Sequence, residues 1–185
     1  AECNTRSEAL GGTSVIVGAG TYYINPIASI DFCEVSVLLR PGYTRSGLTV
    51  GSLGTICLPS NVPAGHAFGA TFYKLEGKEP QYGKIVFDEV TDELAAGVPY
   101  LFQAQSDVLY CFYGTESVTE PDNTGAMKGT FEDITLTNLT NIYYFAQNAL
   151  WSCVDLTESG LSVPANRAYV KMDEMPDITG SNPAP

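Results

Sequence analysis

Short β-prone runs, each closed by a turn signal, recur along the whole chain, and this alternation limits the fold more than any other feature. In Cys33-Glu34-Val35-Ser36-Val37 apolar and polar side chains take turns, as a strand with one buried and one wet face requires. Similar runs occupy 13–17, 21–24, 33–39, 54–58, 67–75, 84–90, 100–104, 108–113, 129–136, 142–146, 150–154 and 168–172, about a dozen strands. Arg40-Pro41-Gly42, Pro63-Ala64-Gly65, Glu76-Gly77-Lys78, Pro121-Asp122-Asn123 and Ser159-Gly160 separate them with residues that fix φ or accept a positive one. The one helix-like stretch, 92–96, is cut off by Gly97 and Pro99 and is too short to stand alone. The spacing predicts an all-β fold: an antiparallel β-sandwich with Greek-key or jelly-roll-like connections, the alternative being a partly closed β-barrel.

A chain of 185 residues that is 44% apolar can bury a substantial core. Residues 44–176 read as the sandwich module. Residues 1–43 hold three candidate strands, too few for an easy independent domain, so they are expected to pack on the main fold or to be the remnant of a preceding domain. Residues 177–185, with Gly, Asn and two Pro, read as a flexible tail. No run of about 18 apolar residues predicts a membrane span, and the N-terminus lacks signal-peptide character, so the chain reads as a processed or excised segment.

Charge and cysteine usage exclude several function classes. Nine Lys and Arg against 21 Asp and Glu leave a net charge of −12, which repels phosphate backbones and anionic bilayers and disfavours nucleic acid as a partner. Cys3, Cys33, Cys57, Cys111 and Cys153 are odd in number and far apart, so they form no CxxC metal site. The last four sit among apolar neighbours and are expected as buried thiols, with one or two disulfides the alternative. The single histidine, His66, falls in a turn-like loop and no Gly-x-Ser-x-Gly occurs, so a Ser-His-Asp site is not expected. Neither phosphate-loop glycine motif is present. Asp88, Glu89, Asp92 and Glu93 are the nearest thing to a glycosidase carboxylate pair, but Asp88 and Glu89 alternate to opposite faces of a strand. No catalytic residue, metal ligand or cofactor is therefore assigned.

Several blocks in fixed order carry a family resemblance. They are Leu48-Thr49-Val50-Gly51-Ser52-Leu53-Gly54-Thr55-Ile56-Cys57-Leu58-Pro59, Gly69-Ala70-Thr71-Phe72-Tyr73, Ile85-Val86-Phe87-Asp88-Glu89-Val90, the stretch 94–105, Gly129-Thr130-Phe131, Asn148-Ala149-Leu150-Trp151 and Val163-Pro164-Ala165-Asn166-Arg167-Ala168-Tyr169. Over about residues 44 to 175 the chain resembles an uncharacterised β-rich module near the C-termini of secreted and cell-surface proteins of Bacteroides-type bacteria, often behind leucine-rich repeats or other extracellular domains. The resemblance implies export to the extracellular space or cell surface and a modular position, and brings no known site residues with it.

Three functions are then in view. The first is a non-catalytic structural or interaction module, a spacer, anchor or adhesion platform, whose partners are other domains of the same surface protein or a host or bacterial surface protein. The alternative is a carbohydrate-binding domain that stacks exposed aromatics on a sugar ring, with Trp151, Tyr143, Tyr144 and Tyr82 as its candidate residues and Tyr113 as a further aromatic. Trp151, alternating with Leu150 and Ser152, is expected first as a core residue and second as a platform. A glycosidase-like enzyme comes third.

Overall fold

The structure, a computed structural model, describes residues 42–154 and 160–178 in full and the backbone of two further strands, β1 (Ser14–Val17) and β2 (Ser36–Leu39), which pair in parallel. The strand expected at 21–24, Cys3 and Cys33 lie outside the described residues. From Gly42 the chain lays down β3 (Tyr43–Ser46), β4 (Leu53–Cys57), β5 (Ala67–Phe68), β6 (Ala70–Glu79), β7 (Lys84–Val90), β8 (Pro99–Ala104) and β9 (Val108–Cys111). It continues with β10 (Met127–Thr130), β11 (Ile134–Leu136), β12 (Ile142–Ala146), β13 (Ala149–Ser152), β14 (Leu161–Val163) and β15 (Arg167–Lys171). Every strand-to-strand pairing from β3 onward is antiparallel, the one parallel bridge among the described residues there being Lys78 with Asp177, and the stretch 92–96 forms a bridge and turn instead of a helix. No described sheet closes on itself, so the fold is a β-sandwich and not a barrel.

Four sheets stack in the order β3-β9-β5, β4-β8-β6-β7, β10-β15-β12-β13 and β11-β14, with an apolar core in each gap. Side-chain alternation explains the stack. On β8, Tyr100, Phe102 and Ala104 join Leu109 and Cys111 of β9 in the first core. On β15, Ala168 and Val170 turn to the middle core, where Leu75 and Ile85 meet them, while Tyr169 turns to the third. The central strands are thus buried on both faces, and Ile56, Phe102, Leu109, Val163 and Val170 are all but inaccessible. Each such side chain contributes roughly 1.5–3 kcal/mol of burial free energy.

The two halves of the described chain follow one course. In the first, β4 runs out to Val62, the β6–β7 hairpin follows, Leu94 bridges back to Val62, and β8 inserts between β4 and β6. In the second, β10 runs out to β11, the β12–β13 hairpin follows, β14 pairs back with β11, and β15 inserts between β10 and β12. The turns into the inserted strands match residue for residue: Leu94-Ala95-Ala96-Gly97-Val98-Pro99-Tyr100-Leu101 and Val163-Pro164-Ala165-Asn166-Arg167-Ala168-Tyr169-Val170. Gly97 at φ 77° donates its N–H to Leu58 O, and Asn166 at φ 57° donates to Thr130 O, each at 2.8 Å. Gly and Asn are the residues that reach this left-handed region most readily. In the sequence the two blocks are too short to declare a repeat; their equivalence is visible once the strands are placed.

The halves are joined at the free edge of β4, where three other segments satisfy the backbone. Leu53 N–H donates to Asn148 Oδ1 (2.8 Å), Thr55 O accepts from Arg45 Nη1 (3.4 Å), and Cys57 N–H donates to Asn166 O (3.4 Å). An open edge that would invite pairing with another chain is thereby closed. From the face of β4, Thr55 Oγ1 donates to Ala168 O (3.0 Å) and accepts from Ala168 N–H (2.9 Å). Gly129 permits the close approach, since a Cβ there would stand 2.3 Å from Cys57 Sγ.

Candidate functional site

The β12–β13 hairpin turns through Gln147 and Asn148, both at positive φ (51° and 60°), the left-handed pair of a two-residue type I′ turn. Asn148 accepts this φ and its side chain caps Leu53, so the hairpin tip is fastened to the first half. In the register that follows, Tyr144 stands opposite Trp151 and both present the same face. Trp151 is 54% exposed, contrary to the first expectation of core burial, because β13 is the outer strand of its sheet and the small β11–β14 layer does not cover it. Its indole Nε1–H donates to Ala146 O at 2.8 Å, which fixes the plane of the ring while leaving a face to solvent.

The other sequence candidates scatter. Tyr144 is half-buried and leans on the third core, so it forms a strip with Trp151. Tyr143 faces the opposite way and packs into the middle core. Tyr82 is 59% exposed on the turn between β6 and β7, with Lys84 Nζ 5.4 Å from its ring centroid, on a different hairpin. Tyr113 packs against the first core, where burial pushes its hydroxyl up to about 12. A second aromatic patch was not read from the sequence: Phe68 (53% exposed) and Tyr110 (41%) are opposite in register on the outermost sheet, and Phe68 meets Phe112 edge to face at 5.9 Å. The signal was present in Leu109-Tyr110-Cys111, whose alternation places Tyr110 outward once Leu109 and Cys111 are core.

The four acidic candidates do not gather at one place, and Asp88 and Glu89 part as their strand alternation predicts. Asp88 stands opposite Lys74, Glu93 accepts from Asn61 Nδ2 (3.0 Å), and Glu89 and Asp92 line one cleft of about 280 Å³ floored by Val62, Phe72 and Leu94. Among the described residues no three His, Cys, Asp or Glu side chains gather as metal ligands, and no helix is long and apolar enough to cross a membrane. His66 is an exposed loop residue, its Nδ1 3.0 Å from Ala64 O. Cys57, Cys111 and Cys153 are free and buried, as expected; burial pushes the Cys57 and Cys111 thiols up to about 12 and raises that of Cys153.

Comparison with known proteins finds no matching family model, curated protein or solved structure.

Proposed function

We propose that this chain is a non-catalytic interaction module of an exported surface protein, and that carbohydrate is the ligand class its geometry favours. The observation that carries the reading is Trp151, an exposed indole oriented by a hydrogen bond to Ala146 and extended by Tyr144 across the hairpin. An indole face with a fixed edge, continued by a second ring on the same sheet face, suits the apolar face of a pyranose. The pseudo-repeat sharpens this. The positions equivalent to Tyr144 and Trp151 in the first half are Lys74 and Asp88, so the hairpin itself does not call for aromatics.

Export and a place beside other domains of a surface protein follow from the resemblance over residues 44 to 175. The net charge of −12 argues in the same direction as before, against nucleic acid and anionic membranes. A glycan array probed with the wild type and with Trp151→Ala tests the reading. Binding of a defined glycan set by the wild type and its loss in the variant are expected. No binding by the wild type would reduce the domain to a spacer or anchor.

A further inference from the structure

We propose that Arg45 and Arg167 form a subsite for the carboxylate or sulfate oxygens of an acidic oligosaccharide whose ring lies on the Tyr144–Trp151 strip; this deepens the carbohydrate reading above and rests on it. The two guanidinium groups are brought together by fixed partners. Arg167 Nη1 donates to Tyr43 OH (2.6 Å) and to Asn166 O (3.2 Å). Arg45 lies two residues beyond Tyr43 on β3, on the same strand face, with its guanidinium 5.1 Å from the Phe102 ring centroid and Nη1 on Thr55 O (3.4 Å). Thr55 in turn holds the backbone of Ala168, the neighbour of Arg167. Arg167 presents the same face of β15 as Tyr169, and Tyr144, one residue past the Tyr143–Val170 pair on β12, presents that face opposite Trp151, so the aromatic strip lies on the Arg167 side of the sheet. Burial, and after it the charge of Arg167, lower the pKa of Arg45.

Two cations so placed repel each other, and an anion would relieve the repulsion. In a chain with 21 acidic side chains a neutralising carboxylate was easy to supply. Among the described residues the ion pairs are instead made by Lys78, Lys128 and Lys171, and neither arginine has a carboxylate within 4.0 Å. Each guanidinium carries five N–H donors in a planar fork that matches an oxyanion. Arg45 uses one toward protein, and Arg167 uses those of Nη1. No buried side-chain nitrogen in the described residues lacks a partner, so the remaining donors reach solvent. The repeat supplies an independent argument: the counterpart of Arg167 is Val98, which packs against the first core, so the turn does not need a cation. A saccharide is favoured over an acidic peptide because the aromatic strip shares a sheet face with Arg167, and a short one because the remote acidic charge repels an extended polyanion.

Trp151 is the sole tryptophan, so its emission reports the site directly. The full chain is titrated with a galacturonate tetrasaccharide, a sulfated galactose tetrasaccharide, the neutral galactose tetrasaccharide and tetraglutamate. At least one acidic sugar is expected to bind tenfold or more tighter than the neutral one, a difference of about 1.4 kcal/mol; which one tells carboxylate from sulfate. Arg167→Gln and Arg45→Gln should abolish the preference, and Arg167→Lys, which keeps the charge but not the fork, should weaken it several-fold with an unchanged melting temperature. If the glutamine variants fail to fold, Arg167→Lys decides alone. Equal affinity for neutral and acidic sugars, or a preference that survives the arginine variants, overturns the subsite and leaves the carbohydrate reading standing. Tetraglutamate binding as tightly as the best sugar overturns the saccharide assignment, and no binding by any sugar overturns both.

Discussion

Replacing Thr55 by Val keeps the shape of a residue that is 3% exposed and removes its hydroxyl. That hydroxyl both donates to Ala168 O and accepts from Ala168 N–H. Ala168 is fully buried, and the pairing of β12 with β15 stops at Tyr143–Val170, so no strand replaces what Thr55 supplies. The substitution strands a donor and an acceptor, each at a cost of about 1–3 kcal/mol, against a small gain from burying a second methyl. A net loss of about 2–4 kcal/mol is expected. Thr55→Ser keeps the hydroxyl and should lose only about 1 kcal/mol, for the missing methyl. Urea unfolding followed by circular dichroism and by Trp151 emission gives the answer. With m near 2 kcal/mol/M, Thr55→Val should lower the midpoint by about 1–2 M at constant m. A Thr55→Val loss below about 0.5 kcal/mol, or a Ser variant as unstable as the Val variant, would refute the claim that this hydroxyl joins the two halves.

Gly129→Ala drives a methyl toward Cys57 Sγ, 2.3 Å from the ideal Cβ, and should cost about 1–3 kcal/mol; Cys57→Ala in the same chain should recover part of it in a double-mutant cycle read by thermal melting. Cys57 and Cys111 are held neutral to about 12 from an ordinary 9.0, so the unfolded chain ionises first as pH rises. Their contribution is complete below pH 9 and is lost between there and about 12, at about 1.4 kcal/mol per pH unit for each thiol. Urea midpoints at pH 8 and 10 should show this decline, and Cys111→Ala should make it shallower; an unchanged slope would contradict it. Trp151→Ala should shift stability by less than about 1 kcal/mol, since most of the ring is already wet, while a larger loss would show the indole to be a packing residue.

How much of this was legible in the sequence depended on how local the cause was. Period-two alternation and turn residues gave the β-sandwich and placed most of the strands, because each strand's pattern is written in its own residues. Leu109-Tyr110-Cys111 and Phe72-Tyr73-Lys74-Leu75 fall in runs expected as strands, and both lie in strands of the structure. The four-sheet stack was hidden because a strand buried on both faces, such as Pro99-Tyr100-Leu101-Phe102, loses its alternation. The exposure of Trp151 was also hidden. It depends on β13 being an outer strand and on the narrowness of the β11–β14 layer, both consequences of strand order. The Arg45–Arg167 pair joins residues 122 positions apart through Tyr43 and Thr55, and no spacing rule connects them.

The most direct test of the functional account is the indole N–H resonance of Trp151 in a ¹H–¹⁵N spectrum. As the sole tryptophan it gives one such peak, and its bond to Ala146 O should already slow its exchange with solvent. On titration with an oligosaccharide selected by the glycan array, that peak should shift progressively along with the amides of Tyr144 and the β13 strand. A bound glycan that moves other resonances and leaves the Trp151 indole in place would contradict the assignment of this strip as the contact surface.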